Sequence, residues 1–197
     1  MKRYLPVLLS LFIMFGFTAC DSDSKVENED SVLSEKKQKS MMTAARNLML
    51  QKELAKMAIE NTETNNAKAY GQELMTWATT KQNELQELAQ QYNVTLPDQM
   101  ERRQMKHIKD VTEEDATNYK YDLELWDSIK DAQRDAAEDF EEAIKDYDEA
   151  DVTAYSLWLR NTAKELRAYL TQAAKYDLEL KNREGGIAKP ILEDMKN

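Results

Sequence analysis

The chain has 197 residues, of which four are glycine, three are proline and one is cysteine, and its formal net charge is −10. So few turn-forming residues argue against a sheet protein, and a single cysteine excludes disulfides within the chain. The acidic balance argues against nucleic acid as a partner, because the chain and a phosphate backbone repel each other.

A secretory signal peptide is predicted at the N-terminus. Two basic residues precede an apolar run over residues 4–17, and Ala19 precedes Cys20. This pattern is typical of a signal peptide, and the run is shorter than the roughly 20 residues of an ordinary membrane-spanning helix. A cysteine directly after the cleavage point resembles a bacterial lipoprotein signal. We therefore expect residues 1–19 to be removed and the Cys20 thiol to carry lipid.

The predicted location is the bacterial cell envelope, with the chain anchored to a membrane through lipid on Cys20. Loss of the two basic residues in the signal takes the formal net charge from −10 to −12, so attraction to anionic lipid is not expected. More than one acyl chain would then provide a stable anchor. Residues 20–34 are almost wholly polar and predict a disordered acidic tether. A periplasm-facing and a surface-exposed domain both fit.

The first two predicted helices form a hairpin. Apolar residues recur at helical spacing from Glu35 to Asn61, a polar run follows, and a second helix is predicted from Asn66 to Tyr92. Lys81 interrupts the second apolar stripe. The predicted core positions are Met42, Ala45, Met49, Leu50, Leu54 and Met57 in the first helix and Tyr70, Leu74, Trp77, Leu85, Leu88 and Tyr92 in the second.

A second hairpin is predicted after a long connection. The third helix is expected to begin near Thr112 and to end at the polar residues 145–150, and Asp151 is the predicted cap of the fourth. Gly185 and Gly186 should stop that helix, which leaves residues 184–197 as a tail. The predicted core positions are Tyr121, Leu125, Ile129, Ala132, Ala136, Phe140 and Ala143, then Tyr155, Leu159, Ala163, Leu166, Leu170 and Ala173.

The lengths of the connections predict the topology. Short connections within each hairpin force antiparallel neighbours, whereas residues 93–111 can span a helix of about 40 Å. One long crossover between helices 2 and 3 is the ferritin-like arrangement, and an up-down bundle with a large loop is the alternative. Similar helix starts at Ala67–Tyr70 and Val152–Tyr155 favour the first. We therefore predict an all-α fold, a ferritin-like four-helix bundle over residues 35–183.

Neither a catalytic site nor a cofactor is predicted. The only histidine, His107, falls in the connection between helices 2 and 3, where we expect it to be exposed on a short helix beside Arg102, Arg103, Lys106 and Lys109. A di-iron site in a ferritin-like bundle needs two Glu-x-x-His motifs, and this chain has none. The basic patch is expected to dock on the acidic ends of the bundle, and an external ligand site is the alternative.

The carboxylates are interpreted as a solvated acidic face, with carboxylate-only binding of a cation as the alternative. The candidates for such binding are Glu53, Glu84, Asp122, Glu124, Asp127 and Asp131. We expect Glu53, Asp127 and Asp131 to be solvated or paired with Lys56 or Lys130, and not to converge on one cavity.

Methionine and tryptophan are interpreted as core residues. The methionines of the first helix and of the connection suit flexible packing better than Cu(I) binding. The residues concerned are Met41, Met42, Met49, Met57, Met100 and Met105, together with Trp77, Trp126 and Trp158 at the core or its edge.

Several short motifs carry a family resemblance. They are Asn66-Ala-Lys-Ala-Tyr-Gly-Gln-Glu-Leu, Asn83-Glu-Leu-Gln-Glu-Leu-Ala, Val94-Thr-Leu-Pro97, Tyr121-Asp122, Phe140-Glu141 and Val152-Thr-Ala-Tyr155. In order and spacing they resemble the bacterial domain-of-unknown-function 4142 family over roughly residues 41–180. The resemblance implies an exported protein with a ferritin-like fold.

The resemblance also marks three interior positions. Many members carry inward-pointing histidines near the middle of helices 2, 3 and 4, and the matching positions here are Ala78, Gln133 and about Leu166. We expect this chain to share the fold of the family. We do not expect it to share any metal chemistry of the family, because none of the three residues is histidine.

We therefore expect a lipid-anchored helical-bundle protein of the cell envelope with a non-catalytic binding or structural role. The alternative is a ferritin-like metal-binding or oxidative-stress protein with a carboxylate-only site. The missing histidines favour the first, and the sequence leaves the partner and the oligomeric state open.

Overall fold

A computed structural model describes residues 32–62, 65–113, 119–147 and 151–184. The predicted signal peptide, Cys20 and the predicted stop at Gly185 lie outside the described residues. No helix in the described ranges is long and apolar enough to cross a membrane.

The described residues form an all-α bundle, as predicted, with four long helices and the short helix expected around His107. The helices are α1 (Glu35–Asn61), α2 (Asn65–Gln91), α3 (Arg102–Thr112), α4 (Tyr119–Lys145) and α5 (Ala154–Glu184). The first two match the predicted hairpin to within one residue at each end. The short helix, α3, lies in the connection between α2 and α4.

The predicted start of the third long helix near Thr112 is wrong, because Thr112 is the last residue of α3, whose capping box lies eleven residues earlier at Glu101. Gln104 Oε1 accepts a hydrogen bond from the Glu101 N–H at 3.2 Å, which completes a capping box at the start of α3. Thr112 instead ends α3, and its hydroxyl donates to the Lys109 carbonyl at 3.1 Å. The long helix α4 begins at Tyr119.

Two further boundaries differ from the predictions. Leu33, placed in the tether, is buried in the core, and Gln38 Nε2 donates to its carbonyl at 2.8 Å. The packed domain therefore begins before Glu35. At the start of α5, Thr153 acts as the cap in place of Asp151, since its hydroxyl accepts from the Ser156 N–H at 3.4 Å.

The long helices pack against antiparallel neighbours. Lys52 bonds Gln82 across α1 and α2 at 2.8 Å, and Lys130 bonds Asp177 across α4 and α5 at 2.6 Å. Asn61, at the end of α1, donates to the hydroxyl of Tyr121, near the start of α4, at 2.9 Å. Helices α2 and α5 meet through two indole N–H donors, with Trp77 bound to Glu165 at 2.7 Å and Trp158 bound to Glu84 at 2.9 Å.

The apolar core is divided into two clusters along the bundle. We call them core A and core B. Core A is centred on Met41, Leu48, Leu85, Phe140, Tyr155, Leu159 and Leu166, and core B on Leu54, Tyr70, Leu74, Leu125, Trp126, Ile129 and Leu180.

Most of the predicted stripes face these cores. In α1 the face is rotated slightly, so that Met41 and Leu48 are buried while Met42 and Met49 are half-buried. Trp126 and Trp158 are buried and Trp77 is half-buried, as predicted for residues at the core or its edge. Lys81 is accommodated within its stripe because it pairs with both Glu84 and Glu165 at 3.1 Å.

Candidate functional site

A groove of about 960 Å³ runs between α3 and α4. Its α3 wall carries Arg102, Lys106 and Lys109, and its α4 wall carries Asp131 and Asp135. Five cationic side chains and five carboxylates line it together with His107. The groove therefore has a formal charge near zero on a chain whose overall charge is −10. We call it the α3–α4 groove.

The basic patch on α3 docks within the chain, although on the middle of α4 and not at the ends of the bundle. Arg103 donates to both carboxylate oxygens of Asp139, at 2.8 and 3.0 Å, and lies 3.3 Å from Asp135. The bond to Asp139 raises the pKa of the Arg103 guanidinium. His107 Nε2 lies 3.5 Å from Asp135 Oδ2, and its side chain is 16 % exposed. The predicted exposure of His107 is therefore wrong, since the ring is held against α4.

A series of hydrogen bonds between polar side chains also joins α3 to α1. Gln104 Nε2 donates to Asn47 Oδ1 at 3.1 Å, and Asn47 Nδ2 donates to Asp139 Oδ2 at 3.0 Å. Because Asp139 also binds Arg103, one carboxylate joins α1, α3 and α4. The sequence analysis did not predict these hydrogen bonds, although polar residues at core-facing positions of α1 and α3 could have indicated them.

The carboxylates of α4 are mostly paired with cations. Of the three predicted not to converge on one cavity, Asp127 and Asp131 share the groove and Glu53 lies outside it. Asp127 lies 2.6 Å from Lys130, as predicted, and Asp131 lies 2.7 Å from Arg134. Burial alone would raise the pKa of Asp127, but its bonds to Lys130 and Lys181 outweigh that effect and lower the pKa. Both carboxylates line the α3–α4 groove, because a spacing of four residues places them on one face of the helix.

Of the other candidate carboxylates, Glu124 also lines the groove, whereas Asp122 is buried outside it. Glu53 is half-buried on α1 outside the groove, and Glu84 is bound to Lys81 and Trp158. Within the described ranges, no group of three or more histidine, cysteine, aspartate or glutamate side chains is arranged to hold a metal ion.

The three interior positions marked by the family resemblance do face the core. Ala78, Gln133 and Leu166 are all buried. Gln133 Nε2 donates to the Tyr70 hydroxyl at 2.5 Å, and burial raises the pKa of that phenol well above its usual value. Gln51 on α1 is also buried, at 1 % exposure, between the apolar residues Leu50 and Leu54. Sequence reasoning passed over Gln51, although an amide inside an apolar stripe is a detectable signal.

Comparison with known proteins places the chain in a family without assigning it a chemistry. A search of curated proteins and a search of solved structures returned no match. The model of the family described as "Domain of unknown function (DUF4142)" matches residues 23–176. This match takes in α1 to α4 and most of α5. The chain therefore belongs to the DUF4142 family.

Proposed function

We propose that this protein is a lipid-anchored helical bundle of the bacterial cell envelope with a non-catalytic binding role, and that the α3–α4 groove is its binding surface. The observation that carries the proposal is the balanced charge of this groove on an acidic chain. Opposite charges on two facing walls complement a ligand that carries both signs. A peptide segment of mixed charge is the ligand class that fits best.

The bundle itself is proposed to be ferritin-like. In support, α1 is antiparallel to α2 through Lys52 and Gln82, and antiparallel to α4 through Asn61 and Tyr121. Helices α2 and α4 then run in the same direction, so the connection between them must return along the bundle. One long crossover of this kind is characteristic of the ferritin-like arrangement.

Site-specific photo-crosslinking in cells that make the full chain tests the groove. A photoreactive residue replaces Met105, which lines the groove and is 48 % exposed, so its interpretation as a core residue is wrong. The matched control replaces Leu178, a similarly apolar residue on α5 that is 52 % exposed. We expect a discrete adduct from position 105 that is absent from position 178.

A charge change sharpens this test. Lys106→Glu should reduce the adduct from position 105, because it removes a cation from the α3 wall of the groove. Lys164→Glu, at an exposed position on α5 outside the groove, is the control and should not reduce it. Equal adducts at positions 105 and 178, or no effect of Lys106→Glu, would contradict a binding role for the groove.

The lipid anchor is tested by Cys20→Ser. We expect this change to leave the precursor unprocessed or to release the domain into the soluble fraction, because the thiol would no longer accept lipid. Fractionation of membranes and immunoblotting measure the outcome. Normal processing together with retention in the membrane would show that Cys20 is not the anchor.

A carboxylate-only cation site is the second candidate, favoured by the line of Asp127, Asp131 and Asp135 along the groove. Each of these groups also has a cationic partner in the chain, namely Lys130, Arg134 and Arg103. Metal analysis of the protein purified from its host distinguishes the candidates. Stoichiometric iron or manganese that is lost in Asp131→Asn would favour the second.

A further inference from the structure

Two glutamines lie where core A meets core B. Gln51 on α1 is 1 % exposed and Gln133 on α4 is 0 % exposed. The flanking apolar residues Leu48 and Leu54 on α1 belong to core A and core B respectively, so the polar pair falls at the division of the core. We call Gln51 and Gln133 the polar layer.

The register of α1 against α4 brings the two amides to the same level. Asn47 bonds Asp139 at 3.0 Å and Asn61 bonds Tyr121 at 2.9 Å. Because the helices are antiparallel, interpolation between these two bonds places residue 51 opposite residues 133 and 134. The Gln133 side chain points toward the bundle axis, since it reaches the Tyr70 hydroxyl on α2.

Most polar atoms of this layer have no partner within the described part of the chain. Gln133 Nε2 donates to Tyr70, but Gln133 Oε1 and both Nε2 and Oε1 of Gln51 make no hydrogen bond there. Folded proteins pair nearly all buried polar atoms, because an unpaired amide in an apolar surrounding is costly. Ala132 and Ala136, which flank Gln133 on α4, are buried as well.

We propose that the polar layer is an internal hydration site, in which ordered water bridges Gln51 and Gln133. The three atoms comprise one amide donor and two carbonyl acceptors, and water both donates and accepts. Water would donate to the two Oε1 atoms and accept from Gln51 Nε2. Buried water in proteins typically makes two to four such bonds to otherwise unpaired groups. A direct bond from Gln51 Nε2 to Gln133 Oε1 would leave Gln51 Oε1 unpaired, so water satisfies the layer better.

Nuclear magnetic resonance of the ¹⁵N-labelled full chain tests this site. We expect cross-peaks between water and the side-chain amide protons of Gln51 and Gln133, with the sign that indicates a residence time longer than molecular tumbling. Gln72, which is exposed on α2, is the matched control and should lack them. The Gln133→Leu variant should lose the cross-peaks of Gln51, because the bridge has lost one end.

If the Gln133→Leu variant fails to fold, the spectra of the unmodified chain still test the proposed hydration site. Strong contacts between the Gln51 and Gln133 amide protons without long-lived water cross-peaks would establish a direct amide pair and overturn the proposal. Water cross-peaks at both amides that match those of Gln72 would overturn it as well, since the layer would then exchange freely with solvent.

Discussion

At the scale of single residues, one glycine sets how closely α1 and α2 approach. A Cβ atom on Gly71 would lie 2.9 Å from the Ala55 carbonyl oxygen, 2.9 Å from Ala58 Cβ and 3.0 Å from Ile59 Cγ1. Real Cβ atoms do not come so near to backbone. The two helices can therefore touch here because residue 71 has no side chain.

Gly71→Ala should destabilise the protein by about 1–3 kcal/mol, because the two helices must separate to admit the methyl group. A loss of stability would be informative, because Gly→Ala at an uncrowded helix position stabilises a protein by roughly 1 kcal/mol. Urea unfolding measures the change. Thr80→Ala, at an exposed position of α2, is the control and should be neutral or slightly stabilising. A gain in stability for Gly71→Ala would contradict the close approach.

A second residue-scale feature is the ion pair between Asp151 and Lys37, which joins the start of α5 to the start of α1. Asp151 Oδ1 also accepts from the Thr153 N–H at 3.0 Å. Burial by itself would raise the pKa of Asp151, but the bonds to Lys37 and Thr153 prevail and hold the pKa well below its usual value.

The stability that Asp151 contributes should therefore depend on pH. Its pKa is lower in the folded chain than the roughly 3.9 of an unfolded aspartate, so the contribution is complete above that value and is lost as the pH falls further. Asp151→Asn keeps the acceptor for Thr153 and removes the charge, so it should cost about 1–3 kcal/mol at pH 7. Unfolding curves should show this difference shrink below about pH 4. A difference that stays constant down to pH 2 would rule out this ion pair as its cause.

At the scale of elements, α3 depends on its contacts. An isolated helix shorter than about 12 residues is marginal in water. Residues Arg102–Thr112 are held by the bond of Arg103 to Asp139, by the bond of Gln104 to Asn47 and by the burial of Val111. Helix α3 is therefore held against α1 and α4 by these contacts.

Arg103→Ala should loosen α3 without unfolding the bundle. Loss of a charge-assisted, two-pronged hydrogen bond weakens docking by about 1.5–3 kcal/mol, so amide hydrogen exchange in residues 102–112 should accelerate roughly tenfold or more. Exchange in α2 and α5 should not change. Arg102→Ala, at an exposed neighbouring position, is the control. Equal acceleration in every helix would mean that Arg103 supports the whole fold and not the docking of α3.

At the scale of the whole molecule, two apolar clusters share one bundle. Leu166 belongs to core A and Leu74 to core B, and both side chains are buried. The four long helices contribute residues to both clusters, and half-buried Trp77 packs against both, so the halves are joined by continuous helices and by this side chain.

Leu74→Ala and Leu166→Ala should each cost about 2–5 kcal/mol, because each leaves a cavity in well-packed surroundings. Their effects should add to within about 0.5 kcal/mol, since the two sites share no cluster. Urea unfolding of the two single variants and the double variant measures both values. A coupling much larger than this would mean that the two clusters act as one core.

The sequence by itself determined the helical class and the bounds of the first hairpin. In α1 and α2 the apolar period, the polar run after Asn61 and the scarcity of glycine and proline all favour the same structure, and such agreement between local signals makes boundaries predictable. The start of α4 was less predictable because a capping residue at Thr112 fits the start of a long helix, whereas Thr112 in fact ends a short one. The contacts of α3 with α1 and α4 decided between these two roles.

Only the tertiary structure decided where the polar side chains act. Helical periodicity places Gln51 in the apolar stripe of α1. It does not predict that Gln133, which is 82 positions away in the chain, lies level with Gln51 in the bundle. The same holds for Asp139, which joins Arg103 and Asn47, and for His107, which the docking of α3 turns against α4. Helical periodicity reports which face of a helix is buried, whereas the partner of a buried amide or carboxylate depends on the register between helices, and that register is set by packing across the whole bundle.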